Sequence, residues 1–152
     1  IPNRVSLWLA AHLFGSASPE PPAFVTEDIY ASNNILELYR MGRDPDMALT
    51  TRFDAVYGLV NTMESGYRGL SRVRVPVAYF YGGRDQLISM PVTQRALRQL
   101  PPTARTAFYP EGRHLLVRDH GAESVMADVL AFVRDPAAPW PSGATSIPMT
   151  EH

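Results

Sequence analysis

The chain has 152 residues, 45% of them hydrophobic and 19% charged, with a formal net charge of −1. That profile suits one globular domain, and the near-neutral balance gives no electrostatic pull toward nucleic acid or an anionic membrane. Cysteine is absent, which excludes disulfides, zinc thiolate sites and a thiol nucleophile.

No apolar run approaches the roughly 20 residues that a membrane span needs. The chain opens on Ile1-Pro2-Asn3-Arg4, without an initiating Met or a signal sequence, close to an apolar segment. We therefore expect it to be a piece of a longer protein. Residues 5–14 predict one short helix, apolar nearly all round and stopped by Gly15. Such a helix is either buried or a greasy lid over an apolar pocket. His12 within it reads as a packing residue. Residues 16–22, with Pro19, Pro21 and Pro22, form a turn-rich linker. Ser32 can cap a helix through Ile35, Leu36, Leu38 and Tyr39 to Met41, with Gly42 just past its end. Between residues 52 and 69, Phe53, Val56, Tyr57, Val60, Met63 and Tyr67 fall at helical spacing, which predicts a helix packed on something large. Gly58 and Gly66 within it would mark close helix packing. Nothing in residues 1–70 carries chemistry on its face.

The informative stretch runs from residue 74 to residue 90. Residues 77–81 (Val-Ala-Tyr-Phe-Tyr) form an uninterrupted apolar and aromatic run, opened by Pro76 and closed by Gly82-Gly83. A run without alternation predicts a strand buried on both faces, as in a parallel sheet, with the glycines permitting a sharp turn at its end. Asp85 is then delivered to the rim at the carboxyl end of that strand, where open α/β sheets place their chemistry. A helix over 91–100 follows, stopped by Pro101-Pro102, and a second strand over 104–109, ended by Pro110. Strand, helix, strand is a βαβ unit, so both strand ends point to one rim. The loop 110–116 carries His114. Ala122, Val125, Met126, Val129, Leu130 and Val133 then define an amphipathic helix covering the sheet. From 135 to 152 the chain is rich in Pro, Ser, Thr and Ala without periodicity, and is expected to be disordered.

A carboxylate accepting from one imidazole nitrogen fixes the tautomer and frees the other nitrogen to act as a base, so Asp85 and His114 are the candidate pair. The simpler alternative has Asp85 capping its own turn and His114 as an ordinary loop residue. His120 is a rival base, placed where the last helix opens and better suited to a helix-terminus or surface role.

Acid before histidine on successive strands matches the order Ser…Asp…His of one fold. Val75-Pro76-Val77 leading into Tyr-Gly-Gly-Arg-Asp-Gln-Leu-Ile, and Tyr-Pro-Glu-Gly-Arg-His-Leu-Leu-Val-Arg-Asp over 109–119, resemble the last two strand–loop units of the α/β-hydrolases. The likeness is to the monoacylglycerol lipase and lysophospholipase (serine aminopeptidase-type) group. Residues 7–12, the Gly-Arg-Asp-Pro turn at 42–45 and residues 52–59 resemble that group's helical cap and the helix after it. The resemblance implies the C-terminal portion of an α/β-hydrolase, two parallel strands with flanking helices, preceded by a helical cap. Residues 1–70 would be the cap and the helix returning to the core, 71–135 the core, and 136–152 the tail. It implies Asp85 as triad acid, His114 as triad base, no metal or organic cofactor, and a lipid ester substrate. It also implies a cytoplasmic enzyme with transient membrane contact through its cap, and no nucleic-acid partner.

One departure is serious. The family's nucleophile sits in a Gly-x-Ser-x-Gly elbow, and no such pentad occurs here; neither Ser65-Gly66 nor Ser142-Gly143 has the required strand–turn–helix setting. The nucleophile and the remainder of the core are expected upstream, leaving this chain inactive alone. An upstream Asp would instead indicate a haloalkane- or epoxide-type hydrolase. A non-catalytic binding module that kept the pair as structure is the reading from a different class.

Overall fold

The computed structural model describes residues 4–20, 28–47 and 50–150. Pro21, Pro22 and His152 lie outside them. Helix α1 (Arg4–Leu13), α2 (Ile35–Arg43) and α3 (Phe53–Gly69) precede strand β1 (Ala78–Gly82), α4 (Met90–Leu97), β2 (Arg105–Tyr109) and α5 (Ala122–Arg134). Short 3-10 turns occupy Leu70–Arg72 and Leu116–Arg118. Among the described residues no helix is long and apolar enough to cross a membrane.

The two strands are parallel, in register from Ala78 opposite Arg105 to Gly82 opposite Tyr109. The α4 crossover makes them parallel, so both finish at the same rim. Burial differs from the expectation for β1: Tyr81 and Gly82 are buried, whereas Ala78, Tyr79 and Phe80 are half-buried. A sheet of two strands gives β1 a neighbour on one side only. The same shortage explains α5, which buries Val125 but leaves Met126, Leu130 and Val133 exposed. One stripe of its apolar face overhangs the small sheet.

The N-terminal helices correct several expectations. Helix α1 buries Leu7 alone and exposes Val5, Trp8, Leu9, Leu13 and the following Phe14, so it is not a buried helix. It lies against α3, with Arg4 paired to Glu64 and the His12 ring set between Trp8 (tilted, centroids 4.3 Å apart) and Tyr57 (edge-on, 6.0 Å). The far end of the α3 stripe, Met63 and Tyr67, remains exposed. A Cβ on Gly58 or Gly66 would meet nothing within 4 Å, so neither glycine serves helix packing. The cap of α2 is Asn34, whose side chain accepts from the Glu37 amide, and Gly42 lies inside the helix. Ser32 is engaged elsewhere, donating to the carbonyl of Arg118 at 3.1 Å.

The tail is also unlike its composition. Residues 135–150 are laid along the outer side of β2, where the Phe108 amide donates to the Thr145 carbonyl at 2.9 Å. Trp140 packs against Phe80 and Phe132, takes the Arg105 guanidinium over its ring at 3.8 Å, and donates to the Thr106 carbonyl at 3.0 Å. Asp128, fully buried in α5, accepts from the Ser142 amide at 2.9 Å, from the Ser142 hydroxyl and from Tyr109 Oη at 2.6 Å. Farther along, Ile147 is 3% exposed, and Gln94 donates to the Pro148 carbonyl. A few specific anchors thus order a segment with no hydrophobic period.

Candidate active site

Asp85 and His114 meet at the shared rim, with Nδ1 of His114 2.9 Å from Oδ2 of Asp85. The two loops are locked together before their side chains touch. The Gly83 amide donates to the Tyr109 carbonyl at 2.8 Å, and the Arg84 amide to the Gly112 carbonyl at 2.9 Å. Gly82 permits this approach for a reason other than turn freedom. Among the described residues only Gly143 has a left-handed glycine φ, whereas a Cβ on Gly82 would sit 2.4 Å from the Gly112 carbonyl oxygen and 2.5 Å from that of Arg113.

The Asp85 side chain is 6% exposed, and its acceptor capacity is well used. Oδ1 takes the amides of Leu87 (2.8 Å) and Ile88 (2.9 Å), while Oδ2 faces the imidazole. Turn capping and imidazole binding, posed as alternatives from the sequence, are performed at once by the two oxygens of one carboxylate. Beneath the turn, buried Tyr81 donates its hydroxyl to the Ile88 carbonyl at 2.8 Å. Burial raises the Tyr81 pKa above that of a free phenol, and the Asp85 charge adds to the effect, so the hydroxyl stays neutral and able to donate.

With Nδ1 turned to a carboxylate acceptor, the proton belongs on Nδ1 and the lone pair on Nε2. Among the described residues nothing bonds Nε2, and the His114 side chain is 37% exposed. The pair can therefore accept a proton at Nε2 while the carboxylate stabilises the resulting imidazolium. His120 is exposed and apart from this pair; its amide donates to Asn33 Oδ1 at 2.8 Å.

Residues that the sequence did not single out hold the histidine loop. Asp119 accepts from the amides of Arg113 (2.7 Å) and Asn33 (3.0 Å). Arg113 reaches Gln86 Oε1 at 2.7 Å and the Tyr30 carbonyl at 3.3 Å, joining the two rim loops to the segment before α2. No spacing rule marks such residues, because partners such as the Asn33 amide, the Tyr30 carbonyl and the Gln86 side chain lie far along the chain. A cavity of about 480 Å³ lies between β2, α5 and the tail; its walls include Gly112, Leu116 and Asp119 but neither Asp85 nor His114.

A family model described as "Serine aminopeptidase, S33" matches residues 2–121. Among solved structures, the chain is similar to the crystal structure of the Paleococcus ferrophilus monoacylglycerol lipase, with a TM-score of 0.69 and 17% sequence identity. The likeness covers 86% of this chain and 51% of that one, so the chain spans about half the length of the lipase and has the corresponding part of its α/β-hydrolase fold. No curated protein matches the chain.

Proposed function

The chain belongs to the serine aminopeptidase S33 family of hydrolases, and from that premise we propose that it supplies the acid and base of a serine carboxylic-ester hydrolase. The observation that carries this reading is the 2.9 Å contact between Asp85 Oδ2 and His114 Nδ1 at the carboxyl ends of two parallel strands. In the proposed reaction His114 Nε2 removes the proton of a serine hydroxyl as that oxygen attacks the acyl carbonyl. The same nitrogen then donates the proton to the leaving alcohol, and a water repeats the exchange to release the acid. Asp85 holds the ring in the required tautomer throughout. The serine lies in the part of the parent protein that precedes these residues, since the chain itself has no Gly-x-Ser-x-Gly elbow.

The proposed substrate is the ester of a monoacylglycerol or lysophospholipid. Support comes from the likeness to a monoacylglycerol lipase and from the apolar side chains of α1 and α2 left uncovered, among them Trp8, Leu9, Ile35 and Leu36. These helices would form the lid and acyl-chain pocket. The test is turnover of a monoacylglycerol and of short-chain nitrophenyl esters by the full-length parent and its H114A variant. H114A should lose about three orders of magnitude or more in turnover. Undiminished turnover removes His114 from the mechanism, whereas loss of ligand binding without any ester turnover in either protein favours a binding module.

A further inference from the structure

Asp119 stands outside the Asp85–His114 pair, yet it touches the backbone on which the imidazole is mounted. Its side chain is almost wholly buried, and no cation answers its charge among the described residues. Both oxygens are instead spent on backbone amides. Oδ2 takes the N–H of Arg113, the residue immediately before His114, at 2.7 Å. Oδ1 takes the N–H of Asn33, in the segment that enters α2, at 3.0 Å.

Around this carboxylate the two segments are laced residue by residue. The Leu115 amide donates to the Ala31 carbonyl at 2.8 Å, the Ser32 hydroxyl to the Arg118 carbonyl at 3.1 Å, and the His120 amide to Asn33 Oδ1 at 2.8 Å. Ser32 is wholly buried, so its bond to Arg118 is shielded from competing water. The contacts begin on one side of His114 and continue on the other. Asp119 closes the loop across its base.

We propose that Asp119 is a positioning residue for His114: it fixes the histidine loop against the segment before α2, so that this segment and the general base move as one. This rests on the hydrolytic reading of the pair. A carboxylate suits the place because each amide needs an acceptor and an ionised carboxylate offers acceptors only. In D119N one oxygen becomes an NH2 group, which confronts a backbone N–H with a second donor. The clamp then holds one segment and releases the other, and the imidazole is no longer held square to Asp85.

The test uses the full-length parent and two readouts. Turnover is expressed per active site titrated with a fluorophosphonate, so loss of folded protein cancels. D119N should fall by about 100-fold per titrated site, the penalty for a catalytic group displaced by about 1 Å, with the KM for a short nitrophenyl ester nearly unchanged. Turnover per site within twofold of wild type overturns the proposal, whatever the change in Tm. The second readout is the low-field proton resonance of the His114 Nδ1–H, identified by its absence in H114Q. It should be sharp in wild type and broadened by exchange in D119N; a sharp, unshifted resonance in D119N also overturns the proposal. If the resonance responds to D119N while the wild type neither titrates nor turns over esters, the clamp stands and the serine-hydrolase reading fails. Should D119N not accumulate folded, D119E, whose acceptors sit one methylene farther out, is read by the same two measurements.

Discussion

Replacing Gly82 by alanine adds one methyl group at the point where β1 meets the histidine loop. That methyl would lie 2.4 Å from the Gly112 carbonyl oxygen and 2.6 Å from its carbon, and the obstacle is backbone, with no side chain to rotate away. The loop must retreat until the gap is at least 3.0 Å. Overpacking of this kind costs about 1–3 kcal/mol. The retreat also stretches the bond from the Arg84 amide to the Gly112 carbonyl, now 2.9 Å, which removes about 1 kcal/mol more. The combined loss of roughly 2–4 kcal/mol should lower Tm by about 5–15 °C, measured by calorimetry on the parent protein and its G82A variant. Since His114 rides on the displaced loop, ester turnover should fall roughly 10- to 100-fold even at temperatures where the variant is folded. An unchanged Tm together with unchanged turnover would refute the close approach and the reasoning built on it.

The opposite sign is expected at Gly58, where a Cβ meets nothing within 4 Å in the middle of α3: G58A should raise stability by about 0.5–1 kcal/mol, read from the denaturant midpoint. W140A should cost about 2–3 kcal/mol and open residues 135–150 to limited proteolysis, because it removes the tilted ring contacts with Phe80 and Phe132, the Arg105 contact and the bond to Thr106. Burial and the neighbouring Asp128 carboxylate raise the Tyr109 pKa far above its ordinary value near 10. A raised pKa means that the native state holds the phenolic proton more tightly than the unfolded chain does. The resulting stabilisation is complete below about pH 10 and is lost as pH climbs above it. Y109F should therefore flatten the alkaline limb of a stability–pH curve, and an unaltered limb would exclude Tyr109 as its source.

What could be read from the sequence was whatever short-range chemistry dictates. The unbroken run ending in Gly82-Gly83 announces a strand that turns at its tip, and the βαβ spacing forces Asp85 and His114 to one rim; that Gly82 serves a close backbone approach emerges only from the structure. What could not be read depended on partners far along the chain. Ser32 and Asn34 are equally good caps on local grounds; the structure assigns the cap to Asn34 because the Ser32 hydroxyl is taken by Arg118. Asp119 looks like any acidic residue beside a loop until the Asn33 amide is seen against it. The tail misled composition for the same reason, since its order comes from Trp140, Ser142 and Ile147 meeting fixed sites on β2 and α5. Burial was overestimated for β1 and α5, because an apolar pattern records the neighbours a segment suits, and two strands supply only some of them.

The bridge between Phe108 and Thr145 gives the sheet a direction of growth. With the outer margin of β2 taken, a newcomer must pair with β1, through the peptide groups of Ala78, Phe80 and Gly82 that alternate away from β2. If it runs parallel, its C-terminal tip arrives beside Asp85, and a reactive side chain mounted there is carried toward the imidazole by the pairing itself. The tail, remote from Asp85 and His114, thereby fixes the side of the molecule on which a further strand can join the sheet.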